Sequence, residues 1–160
     1  MWRGVPGLTV ALVISLPTLS AAGSEITQSS ATEQTVYVAP NVVQVRSLDI
    51  FTTFALTNAT FYWFNPRIYF VNEDGEIVRE VAPLLKGYAT WQRTSLDLLD
   101  EDFHGSVWIV SPQPIVASAF LHQLQDGDKL LLLGNTELRR MDPEVARNAL
   151  QQLIAVPNVE

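Results

Sequence analysis

An all-β fold is predicted: an antiparallel sandwich of about seven to eight strands closed by one C-terminal α-helix. Three features of the sequence predict it. Short runs of β-branched and aromatic residues recur between 35 and 134, each bounded by Pro, Gly, Asn or Asp, as strands joined by turns require. Several of these runs alternate in side-chain character, which suits a pleated sheet with one buried face. Only after residue 141 does the apolar period change to that of a helix.

The N-terminal segment "MWRGVPGLTVALVISLPTLSAA" has one positive charge, Arg3, an apolar stretch from Leu8 to Leu19, and small residues at Ser20, Ala21 and Ala22. That order is expected of a secretory signal peptide covering 1–22, cut after Ala22. The stretch is shorter than the roughly 20 apolar residues of a spanning helix and contains Pro17. A periplasmic or secreted location follows, with no membrane span once the signal is cleaved. Residues 23–34, "GSEITQSSATEQ", read as a flexible polar leader.

The strands follow in order. "TVYVA" (35–39) stops at Pro40, and "DIFTTFALTN" (49–58) alternates Ile50, Thr52, Phe54 and Leu56 against Phe51, Thr53, Ala55 and Thr57. "RIYFVN" (67–72) and "EIVREV" (76–81) flank Asp74-Gly75, a hairpin signal in which Gly supplies positive φ. "YATWQRTSL" (88–96), "GSVWIVS" (105–111), "PIVASAFLHQL" (114–124) and "KLLLLG" (129–134) complete the sandwich domain, 35–134. Val36, Val38, Phe54, Leu56, Ile68, Phe70, Val107 and Ile109 are expected in its core.

The C-terminal segment, 135–160, carries the helix. Asp142 is placed as N-cap, Pro143 at the first helical position, and Pro157 as the stop. Val145, Ala149, Leu150, Leu153 and Ile154 form an apolar stripe that is too short to stand alone in water. The run "LLLL" is apolar on both strand faces, so the helix is expected to fold back over Leu130 to Leu133, or to cross to a second copy.

The order of motifs in 58–121 is similar to Ig-like β-sandwich modules of exported bacterial proteins. A strand, the hairpin "YFVNEDGEIV", a Pro-containing corner and the pattern "GSVWIVSPQPIVA" carry the resemblance. A second similarity, through Ser111-Pro112-Gln113-Pro114-Ile115, is to the sandwiches of sensory rhodopsin transducers, from which the export signal is a departure. The resemblance implies a fold and brings no active site with it.

Composition excludes several classes. The net charge is −7, with 17 acidic against 10 basic residues, and no basic run occurs that could hold nucleic acid. Without cysteine there is neither a disulfide frame nor a thiol nucleophile. G-x-S-x-G and phosphate-cradling glycine loops are also missing. No catalytic residue, cofactor site or metal site is assigned, and a non-enzymatic binding or scaffolding module is expected, taking an envelope protein partner or associating with itself.

Two acidic clusters bear on that reading. Asn72, Glu73, Asp74 and Glu76 are turn residues without the ligand spacing of a calcium loop. Asp97, Asp100, Glu101 and Asp102, with His104 nearby, are the basis of an alternative: a calcium-dependent carbohydrate-binding or hydrolase-like domain. The aromatics are the candidate partner-binding residues: Tyr62 and Trp63 within "FYWF", with Trp91 and Trp108. Exposed rings can take protein or carbohydrate, whereas buried ones would only fill the core. Asn58-Ala59-Thr60 matches a glycosylation sequon, a motif short enough to recur by chance.

Overall fold

The computed structural model describes residues 34–126 and 129–155 of the chain, so the expected signal segment 1–22, the expected leader through residue 33, and Pro157 lie outside the described residues. Among the described residues nine strands form: β1 (Thr35–Gln44), β2 (Ile50–Asn58), β3 (Arg67–Asn72), β4 (Ile77–Val81), β5 (Thr90–Thr94), β6 (Phe103–Ser111), β7 (Ile115–Gln125), β8 (Lys129–Thr136) and β9 (Arg139–Arg140). One sheet has the order β4-β3-β6-β1-β9 and the other β5-β2-β7-β8, and every pairing is antiparallel. The all-β sandwich is therefore present, and its ninth strand is a two-residue addition at an edge.

Alternation builds the core as expected. Phe54 and Leu56 on β2 face Ile68 and Phe70 on β3 and Val107 and Ile109 on β6, all buried. The Phe70 ring meets Phe54 edge-on at 5.7 Å and Phe103 at 5.8 Å, the offset geometry that aromatic quadrupoles favour. Tyr37 ties the two layers by donating its hydroxyl hydrogen to the Ile115 carbonyl at 2.9 Å.

β1 corrects the expected phase. It does not end at Pro40 but runs on to Gln44 through a bulge between Ala39 and Val42, with Asn41 at φ 57°. Proline has no N–H for the ladder, and the extra residue absorbs the gap. Ala39 and Val42 consequently point inward, while Val36 and Val38 belong to a second apolar cluster on the outer face of the same sheet.

That second cluster is where the helix goes. α2 (Pro143–Ala155) packs Ala146, Leu150 and Leu153 against Val36, Tyr69, Val71 and Val110. Asp142 caps it, its carboxylate accepting from the Glu144 N–H at 2.9 Å. The expected docking over Leu130 to Leu133 is overturned. β9 pairs with Tyr37 and Val38, and the Met141 N–H donates to the Val36 carbonyl at 2.8 Å, so the chain is fastened to the five-stranded sheet just before the helix begins. The stripe also shifts: Val145 and Ile154 are exposed.

The segment 88–96 is a strand only as far as Thr94. There a capping box, Thr94 with Asp97, starts the helical turn α1 (Ser95–Leu98).

Candidate functional site

The two acidic clusters meet at one end of the sandwich. Pairing of β3 with β6 sets Asn72 opposite Gly105 and carries the hairpin turn to the loop before Phe103. Between them lies a pocket of about 490 Å³ walled by Glu73, Asp74, Arg79, Asp100, Glu101 and His104. His104 Nδ1 is 2.6 Å from Glu73 Oε1, a contact in the open.

Several residues of the two clusters have structural tasks. Gly75 takes φ 84° in the turn, and the Asn72 carboxamide oxygen accepts from the Glu76 N–H at 2.8 Å, so the β3–β4 connection is a hairpin corner. Asp97 accepts from the Thr94 N–H at 3.1 Å and its hydroxyl at 2.9 Å; chiefly the backbone bond holds its carboxyl below the ordinary range. Its contribution is present at neutral pH and is lost as pH falls through that lowered value. Asp102 accepts from the Arg46 N–H at 2.8 Å. The loop carbonyls that a calcium ion would want are also engaged: Leu99 by the Arg46 guanidinium and Glu101 by the Gln44 carboxamide. Among the described residues no three His, Cys, Asp or Glu side chains converge in a way that could hold a metal ion.

A different surface occupies the opposite end. Phe61, Tyr62 and Trp63 are 61%, 58% and 65% exposed, while Phe64, the next residue, is buried in the core. The loop 59–66 is held rigidly to the loop 82–89. Phe64 and Leu85 exchange backbone bonds of 2.9 and 3.2 Å, and the Tyr88 N–H donates to the Thr60 carbonyl at 3.0 Å. A side chain at Gly87 would strike the Phe61 backbone, so the loops can touch only because this residue is glycine.

Asn58, fully buried, organises both. Its amide donates to the Tyr62 carbonyl at 2.6 Å and the Lys86 carbonyl at 3.0 Å, and its oxygen accepts from the Thr60 N–H at 2.8 Å. The sequon therefore has its asparagine nitrogen inside the fold, already bonded. Tyr88 (71%) and Leu84 (51%) widen the apolar surface, and Lys86 lies 5.7 Å from the centroid of the Trp63 ring.

The other two candidate aromatics stand elsewhere. Trp91, opposite Leu56 on β5, is half-buried against the sandwich core. Trp108 is half-buried on the outer face of the five-stranded sheet, in the cluster that includes α2, and donates its indole N–H to Ser106 at 3.1 Å. Tyr62 and Trp63 are thus brought together, and Trp91 and Trp108 join neither them nor each other. Sequence reasoning missed Leu84, Lys86 and Tyr88, and it named Asn58 only as part of a sequon and not as the buried anchor of the two loops. The two apolar loops, each beside a proline, were the available signal, but nothing in the sequence pairs one with the other.

The third surface is β8. Leu130 and Leu132 extend, on the outer face of the four-stranded sheet, a stripe formed by Phe51, His122 and Phe120, whose rings follow one another at 5.8 and 6.3 Å. Leu131 points to the other face, and a bulge at Leu133 breaks the register before Gly134. The four leucines are 43–58% exposed. Among the described residues no strand pairs with the outer edge of β8.

No family model, curated protein or solved structure matches the chain.

Proposed function

We propose that the protein is an exported, non-enzymatic binding module that recruits a protein partner by adding the partner's strand to the edge of β8 that no described strand covers. The carrying observation is the contrast among the four sheet edges. β5 is five residues long and presents Gln92 and Arg93, β4 presents Arg79 and Glu80, and β9 is a bare Arg-Arg pair. Short or charged edges resist pairing with another chain. β8 is eight residues long, and its only charge, Lys129, stands at its first position. An edge of this kind offers a row of main-chain donors and acceptors together with leucines for side-chain pockets, the two elements of strand addition.

The export signal read from residues 1–22 supports an envelope or extracellular setting for the partner. A second copy could supply the added strand as well as a different protein. Two of the four carboxylates in 97–102, those of Asp97 and Asp102, are engaged in backbone and side-chain hydrogen bonds, which supports assigning the loop to the scaffold rather than to a calcium or carbohydrate site.

Leu130→Lys with Leu132→Lys tests the proposal, because both positions are more than half exposed and lie outside the inter-sheet core. The pair is expected to abolish partner capture from the native envelope fraction and any self-association seen by light scattering. Replacing Asp97, Asp100, Glu101 and Asp102 by their amides is expected to leave both intact. Capture that survives the lysines, or that disappears with the amides, would refute the proposal.

A further inference from the structure

We infer that the aromatic end of the sandwich, formed by the loops 59–66 and 82–89, docks on the surface of an anionic lipid bilayer. The inference is independent of β8 and concerns a separate surface.

Charge distribution is the first argument. The chain carries 17 carboxylate side chains, yet "ATFYWFNP" and "APLLKGYA" contain none, and their one charge is Lys86. β3 starts at this end with Arg67 and finishes at the other with Asn72, where the hairpin turn and the 97–102 loop collect their acids. The molecule is therefore polarised along its strands. Asp142 and Glu144, where α2 begins, also lie toward the ring end, and Glu80 there is paired with Arg67. Most of the acids gather at the other end, so an anionic surface repels that end more strongly and charge orients the sandwich with its rings toward the lipid.

The second argument is the chemistry of the exposed groups. Phe61, Tyr62, Trp63, Leu84 and Tyr88 are each more than half exposed. Tyr and Trp suit the headgroup layer, where an apolar ring body and a polar handle are both satisfied, while Phe and Leu reach slightly deeper. Recognition of a sugar would instead call for flanking carboxylates or amides. Here Asn58 is spent inside the fold, and Asn65 donates to the Ala82 carbonyl at 3.3 Å.

The third is rigidity. The loops are fastened to each other by backbone bonds and by Asn58, so the rings stand out because the fold holds them there. Little ordering entropy remains to be lost on docking.

Because the chain contains no cysteine, single labels can be placed cleanly. Leu84→Cys carrying an environment-sensitive fluorophore is expected to shift its emission to the blue on addition of phosphatidylglycerol/phosphatidylcholine vesicles. The same label at Val78→Cys, at the acidic end, is expected not to shift. In co-sedimentation of the chain from Gly23 onward, without the apolar stretch 8–19 that would itself enter vesicles, the combined Phe61→Ser, Tyr62→Ser and Trp63→Ser variant is expected to bind these vesicles more than about tenfold less tightly, and Lys86→Gln about fivefold less tightly. An unshifted Leu84 label, equal binding of the serine variant, or equal affinity for purely zwitterionic vesicles would overturn the inference. So would a finding that the three rings are needed only to retain a protein partner.

Discussion

Replacing Phe54 with alanine is expected to lower the unfolding free energy by about 3–5 kcal/mol, the largest effect of any single truncation considered for this fold. Phe54 is 1% exposed and lies on β2, the strand that β5 and β7 flank. Its ring meets Phe70 from the opposite sheet edge-on, and Phe70 in turn meets Phe103, so the three rings bridge the two layers. Alanine would remove the transfer free energy of the ring and leave a cavity that two sheets pinned by hydrogen bonds cannot close. Urea denaturation measures the loss. A change below about 1 kcal/mol would mean that the layers are not packed through this contact.

Asn58→Ala is expected to cost about 1–3 kcal/mol and to loosen the aromatic end. The substitution leaves the Tyr62 and Lys86 carbonyls and the Thr60 N–H without their present partner, at a position where the replaced residue is 1% exposed. Buried polar groups that lose a partner bear their full desolvation cost. Amide exchange of 60–64 and 85–89 should accelerate while the β2–β7 ladder stays protected. Asn58→Asp separates geometry from chemistry: the shape is retained, yet a carboxylate must face the Tyr62 and Lys86 carbonyls, so stability should fall again. If both variants matched the parent in stability and exchange, the two loops would have to be held by something other than Asn58.

Strand alternation made most of the sandwich legible. Phe54, Leu56, Ile68, Phe70, Val107 and Ile109 face inward because two-residue periodicity, read on strands with one polar or small face, permits only one phase. It failed on β1, where "TVYV" offers apolar or aromatic side chains to both faces; the choice depended on α2, which covers Val36 and frees Tyr37 and Ala39 for the interior. The helix itself was legible from Asp142 and Pro143, but its destination was not. That destination follows from β9, two arginines without apolar periodicity, whose pairing to β1 is visible only in three dimensions.

The candidate sites divide in the same way. The Asp74-Gly75 hairpin could be read from turn chemistry alone. Exposure of Tyr62 and Trp63, against burial of Phe64 in the same run, depends on how the loop crosses the end of the sandwich, and a run of four aromatics has no period that reveals it. β8 is the reverse case. Its leucines were evident in the sequence and were expected to be covered, and the described residues leave them open.

The proposed recruitment through β8 is tested most directly by photo-crosslinking in cells of the source organism, with a photoreactive residue placed at Leu131 and, separately, at Gln92 on the opposite edge strand β5. The account predicts a discrete protein adduct, to a partner or to a second copy, from position 131 and none from position 92. No adduct at 131, or the same adducts at both positions, would contradict it.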